Sequence, residues 1–151
     1  MRVVVEVEIR RPAKDIFEFL AKHENHTRFI KENVTSEQVT PGPMAVGTVV
    51  KNVARAMGQT MLEQFQITHF EPHKVLGKAS MPGSSFDTTD RFDLTPTANG
   101  TRVQITVTGS PRHFGQRLMM LLIEPVMRRS MTKALGILKE ILEAAPASAA
   151  A

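Results

Sequence analysis

The sequence of 151 residues contains no cysteine, no tryptophan and no tyrosine. Without cysteine there can be no disulfide, no thiolate metal site and no cysteine nucleophile. Without tyrosine there is no phenol to serve as a general acid, and phenylalanine is the only aromatic of its class. No run approaches the roughly 20 apolar residues that a membrane-spanning helix needs. The opening MRVVVEVEIRRP alternates and carries two glutamates, unlike a signal or transit peptide, so a cytoplasmic protein is expected. Positive charge exceeds negative only modestly, 19 Lys+Arg against 15 Asp+Glu. The densest basic cluster is Arg112, Arg117, Arg128, Arg129 and Lys133. It lacks the interleaved exposed aromatics of a nucleic-acid surface, so no nucleic-acid partner is expected.

What is present reads as one small α+β domain over residues 1–144 with a frayed small-residue tail over 145–151. Val3, Val5, Val7 and Ile9 alternate with polar residues, as in a half-buried strand. Pro12 then opens a helix with Ile16, Phe17, Phe19 and Leu20 on its apolar side. A second short helix is expected over residues 24–30, with Phe29 and Ile30 inward and His23, Asn25, His26 and Arg28 toward water. Strands follow over 34–40, 48–57, 60–70, 75–81, 86–94 and 101–109. They are divided by Pro41-Gly42-Pro43, Gly58-Gln59, Glu71-Pro72-His73, Pro82-Gly83-Ser84-Ser85 and Asn99-Gly100.

After Pro111 the apolar period becomes helical and continues to about residue 144. In the second half, Met131, Ala134, Leu135, Leu138, Ile141 and Leu142 share one side, an ordinary core stripe. The first half breaks this pattern. Residues 118–123, LMMLLI, are apolar all round, and Leu118, Leu121 and Leu122 fall on the sector that is polar further along. That surface is a candidate contact for a second copy or a membrane surface. Pro125 removes the helical hydrogen bond to the Leu121 carbonyl and is expected to loosen the helix. Methionine is flexible enough to repack around varied ligands, and Met119, Met120, Met127 and Met131 lie on this helix.

The order strand, two short helices, strands, long helix carries recognisable phrases. These are VEIRRPAKDIFEFLAKHENHTRFI, PGPMAVGTVV, ITHFEPHKVLG, FDLTPTANGTRVQITVTG and ALGILKEILEA. The chain thereby resembles the START-like (SRPBCC) superfamily of helix-grip proteins, of polyketide cyclase/dehydrase and lipid-transport type, over residues 2 to about 143. The resemblance implies a curved seven-stranded antiparallel sheet around the C-terminal helix, with two short helices after the first strand. It also implies a cavity for hydrophobic molecules between sheet and helix. The tryptophan common in that superfamily after the second helix is absent, and Phe29 stands near its place. The matching phrases are structural punctuation, and they carry no activity with them.

The expected function is binding or transport of a hydrophobic small molecule or lipid. Phe29, Met57, Phe65, Ile67, Met81, Phe92, Met119, Met120, Ile123, Met127 and Met131 are the expected lining. An enzyme of cyclase/dehydratase type is the alternative, and an interaction module using the apolar helix face is another. Strand alternation turns Glu63, Phe65, Ile67 and His69 to one face, and Asp90, Phe92 and Leu94 likewise. Buried carboxylates rise and a buried histidine falls toward a useful proton-transfer range, so Glu63, His69 and Asp90 are catalytic candidates. Glu124, beside Ile123 and Met127, is a fourth, competing with a simple pairing to Arg91 or Arg128. His23/His26 and His69/His73 have ligand-like spacings but no third ligand, so neither a metal nor a cofactor is expected.

Overall fold

Seven strands form one antiparallel sheet in the order β1-β7-β6-β5-β4-β3-β2. They are β1 (Arg2–Ile9), β2 (Asn33–Gln38), β3 (Val49–Ala56), β4 (Gln59–Glu71), β5 (Val75–Ser80), β6 (Asp87–Pro96) and β7 (Thr101–Ser110). Between β1 and β2 lie α1 (Ala13–Ala21), a 3₁₀ turn (His23–Asn25) and α2 (His26–Phe29), and α3 (Phe114–Ala144) ends the order. The computed structural model describes residues 1–145. The expected tail lies outside the described residues, Ala145 excepted. The arrangement is the α+β helix-grip expected from the sequence. No helix among the described residues is long and apolar enough to cross a membrane.

The C-terminal end of the long helix is held by the start of the chain. Arg11 Nη1 donates to the carbonyls of Leu142 (2.9 Å) and Ala145 (2.7 Å), two acceptors that a helix end leaves open. Lys139 Nζ donates to Glu8 O at 2.7 Å. Near the end of β7, shortly before α3 begins, the Met1 ammonium donates to Gly109 O at 2.9 Å. Between these points Ala134, Leu135, Leu138 and Leu142 are buried against Val3, Ile9, Ile16, Phe17 and Leu20. The helix runs unbroken through Pro125.

Two local departures from simple alternation decide where side chains point. The β3–β4 turn falls on Met57-Gly58 rather than Gly58-Gln59, with Ala56 paired to Gln59. Both turn residues have positive φ, 51° and 74°, as a two-residue hairpin matching the sheet's twist requires. Met57 therefore stands at the tip, 80% exposed, and not in the interior where a strand-end reading put it. In β4 the pairing slips between Ile67 and His69. A bulge there inserts one residue and reverses the parity beyond it. Phe70 turns inward onto Phe17, their rings edge to face at 5.3 Å, and His69 turns out to solvent.

Candidate functional site

Strand pairing assembles a polar patch within an apolar surface. Ile67 lies opposite Lys78, Lys78 opposite Asp90, and Asp90 opposite Val107, so the four share one face. Two and four residues back along β4 from Ile67, Phe65 lies opposite Val50 and Glu63 opposite Asn52 of β3. The 3₁₀ turn and α2 bring His23 and His26 against this face, with their rings 4.5 Å apart. Both histidines are buried, as are Asn52 and Lys78. The expectation that His23 and His26 would be wet is thus overturned. The break between α1 and α2 rotates them onto the side of Leu20 and Phe29, where His26 meets the rings of Phe29 and Phe92.

Each ring is held through one nitrogen. His26 Nε2 lies 2.8 Å from the Leu20 carbonyl, which can only accept, so this nitrogen carries the proton. The bare Nδ1 of the neutral ring is buried and receives no hydrogen bond from the protein. His23 Nε2 donates to Asn52 Oδ1 at 2.7 Å. Burial drives the His23 pKa down to about 4, the nearby Lys78 charge adds to this, and the Asn52 bond opposes it. His26 is held well below its ordinary value by burial first, then by His23 and Lys78. Both rings are therefore neutral near neutral pH.

The charges are loosely paired. Lys78 Nζ is 3.5 Å from Asp90 Oδ2 and stands 4.2 Å above the centre of the Phe65 ring. An ammonium has three donors, and a single 3.5 Å ion pair with an aromatic face leaves its hydrogen-bonding capacity largely unused. Glu63 is raised above the usual carboxyl range by burial, partly offset by Lys78 and reinforced by Asp90. His23, His26, Ile67, Lys78, Asp90 and Phe92, with Met44 and Leu76, enclose a space of about 10 Å³. That is room for about one water.

Helix packed on sheet, with a polar patch on the covered face, can be set beside known proteins. A family model described as polyketide cyclase / dehydrase and lipid transport matches residues 1–143. The chain belongs to this family. Among solved structures, TTHA0849 of Thermus thermophilus is 24% identical with a TM-score of 0.76, covering 97% of this chain and 100% of its own. MLL2253 of Mesorhizobium loti is 18% identical with a TM-score of 0.73, covering 97% and 99%. NE0264 of Nitrosomonas europaea is 16% identical with a TM-score of 0.71, covering 95% and 94%. At these identities the likeness is one of fold. No curated protein matches the chain.

In this member of the polyketide cyclase/dehydrase and lipid transport family, the expected site residues separate into three groups. Glu63, Phe65, Ile67, Asp90 and Phe92 come together on the covered face, with Phe29 packed 6.4 Å from Phe92 ring to ring. Met120 and Met131 are buried on the inner side of α3, Ile123 and Met127 are half-buried, and Met81 is half-buried just past the end of β5. The rest lie elsewhere. His69 is outside, beyond the bulge, where its Nδ1 meets Thr68 Oγ1 at 3.0 Å. Glu124 accepts from Arg128 Nη2 at 3.3 Å on the flank of the helix, one of the two pairings weighed for it. Met119 is exposed, since Met120 takes the inward position and its neighbour is turned 100° away.

Lys78, Asn52, His23 and His26 were not among the expected site residues. For Lys78 a signal existed. Leu76 and Lys78 share parity in the strand VLGKAS, so an inward leucine implies an inward lysine. His23 follows Ile16 and Leu20 at i+7 and i+3, the spacing of one helical face. Asn52 alternates with the buried Val50 and Ala54.

Proposed function

We propose that the protein binds an apolar small molecule or lipid whose polar end is received by Lys78 and His26. One observation carries this reading: a buried ammonium with spare donors and a buried, unpaired imidazole acceptor line the same enclosed space. Leaving such an acceptor unsatisfied costs about 1–3 kcal/mol, and a ligand group that supplies a donor recovers it. A ligand end that accepts from Lys78 and donates to His26 Nδ1 fits both, as a carboxylic acid, an enol or a phenol does. The surrounding Phe29, Phe65, Ile67 and Phe92 suit an apolar body. Family membership supports the same ligand class.

Entry requires the wall to open, because about 10 Å³ admits nothing larger than water. Met44 is the wall residue that lies between regular elements, in a segment containing Gly42 and Gly47, both with positive φ near 95°. This flexible side chain in a loop is the part of the wall that moves at least cost. The reading takes residues 1–144 as one domain, and on composition its proposed compartment is the cytoplasm.

Native mass spectrometry of freshly purified protein, followed by denaturing extraction, tests the proposal. A retained stoichiometric apolar molecule, lost in Lys78→Met protein that remains folded, is the expected result. A bare mass with no uptake of a fluorescent fatty acid would reject it.

A second reading, a cyclase or dehydratase, is favoured by Glu63 alone. Burial raises the pKa of this carboxyl, with Lys78 opposing and Asp90 adding to the shift. A raised carboxyl beside an ammonium suits proton transfer next to a carbonyl. Turnover of an aromatic polyketide mimic that disappears in Glu63→Gln protein, while ligand binding persists, would establish this reading over simple carriage.

A further inference from the structure

The first half of α3 carries a surface that neither the core nor the polar patch uses. Phe114, Leu118, Leu121, Leu122 and Val126 are each more than half exposed, Phe114 at 78% and Leu122 at 72%. Their spacing of 4, 7, 8 and 12 residues from Phe114 places them along one outward strip, about 18 Å long at 1.5 Å per residue. An outward apolar strip of this size on a single helix is not ordinary surface scatter.

The charges along this part of α3 are mostly positive. Arg117 lies within it, and Arg129 and Lys133 continue it toward the C-terminus. Between residues 114 and 133 the only carboxylate is Glu124, and it is engaged with Arg128. Beside Leu121 and Pro125 an open hollow of about 780 Å³ is bounded by Glu124, Arg128, Arg129 and Lys133. Apolar side chains thus stand next to a solvent-open hollow whose rim carries Arg129 and Lys133 beyond the Arg128–Glu124 pair. A second copy of the chain would bring like charges together across such a face. A surface that presents phosphates above hydrocarbon complements it in both charge and polarity.

We infer that the first half of α3 is a docking face for an anionic phospholipid membrane. Phe114, Leu118, Leu121 and Leu122 enter the acyl boundary, and Arg129 and Lys133 meet the headgroup phosphates. The helix lies in the interface rather than across it, consistent with its lack of a spanning segment. This inference stands apart from the ligand reading, since it concerns the outside of the helix and its readout requires no bound ligand.

The test is co-sedimentation of the full chain with vesicles of phosphatidylcholine, with and without phosphatidylglycerol. Binding is expected with phosphatidylglycerol present, weakening as ionic strength rises. Leu118→Asp/Leu122→Asp protein, checked for an unchanged melting curve, is expected to lose it. Arg129→Gln/Lys133→Gln protein, with the apolar strip intact, is expected to bind roughly thirtyfold more weakly, at about 1 kcal/mol per cation. Failure of the native chain to sediment with anionic vesicles would overturn the inference, and so would binding that both variants retain. A concentration-dependent dimer, broken by the aspartate variant in a chain that ignores vesicles, would assign the strip to a second copy instead.

Discussion

The two halves of α3 are made from the same kinds of residue and meet opposite fates. From Met131 to Leu142 the apolar side chains are mostly buried, on a helix packed against β1, β7 and α2, and from Phe114 to Val126 most large ones face water. Leucine content does not separate them. What separates them is which sectors of the helix have sheet beneath. In the second half the stripe is about as narrow as the surface it covers. In the first half apolar residues run all round, and the sheet can cover one side only, taking Met120 and leaving Leu118, Leu121 and Leu122. Burial in this helix is a property of neighbours, and an apolar residue without one is available for something else.

The largest effect that would sharpen this contrast is at Leu138, fully buried on the inner stripe. Leu138→Ala should cost about 2–5 kcal/mol by lost contact and residual cavity, read as a fall in the urea midpoint. Leu122→Ala, removing the same atoms from the outer strip, should change stability by less than about 0.5 kcal/mol. Equal losses at the two sites would abolish the distinction between the halves.

Next in size is the response of the interior to acid. His23 titrates near 4 in the fold against 6.5 in the unfolded chain, so it prefers to be neutral when folded. Its contribution is complete above pH 6.5 and is lost as pH falls toward 4, roughly 3 kcal/mol at most. His26 shifts in the same direction and adds to the loss. Glu63 acts oppositely: its raised pKa stabilises the fold at low pH, and this is lost as pH rises through the folded value. With two buried rings against one carboxyl, unfolding experiments should show stability falling between pH 6.5 and 4. His23→Gln should flatten that slope, and an unchanged slope would mean that the ring is hydrated in solution.

A smaller stability effect than at either the inner stripe or the histidines is expected at the charged centre of the polar patch. Lys78→Met replaces a loosely paired ammonium above Phe65 with an apolar side chain of similar length, so stability should change by less than about 1.5 kcal/mol in either direction. The same substitution should remove ligand retention. A large loss of stability would show instead that the Lys78–Asp90 pair is structural, as removing one partner of a tight buried pair costs about 3–5 kcal/mol.

The architecture was largely legible before folding. Alternation in VVVEVEI and RVQITVTG, proline and glycine at the corners and the switch to helical period after Pro111 prescribe seven strands and a closing helix. Those signals are local, because backbone preference and side-chain period act over a few residues. The candidate site was legible only where the period ran undisturbed, as at Glu63, Phe65, Ile67, Asp90 and Phe92. It failed at His69, where one inserted residue reversed the face, and at Met57, where hairpin twist pulled a methionine into the turn.

The sequence by itself determined the order of elements, the inner stripe of α3 and the excess of apolar residues over residues 118–123. Tertiary structure alone decided that His26 is buried beside His23, that Lys78 sits over Phe65 beside Asp90, and that the space they enclose is nearly closed. It also decided which sector of α3 was left to solvent. These outcomes depend on residues from four or more elements meeting in space, and no short-range pattern encodes where distant elements meet. Burial, the shifted proton affinities of the histidines and the exposure of the leucine strip all follow from those meetings.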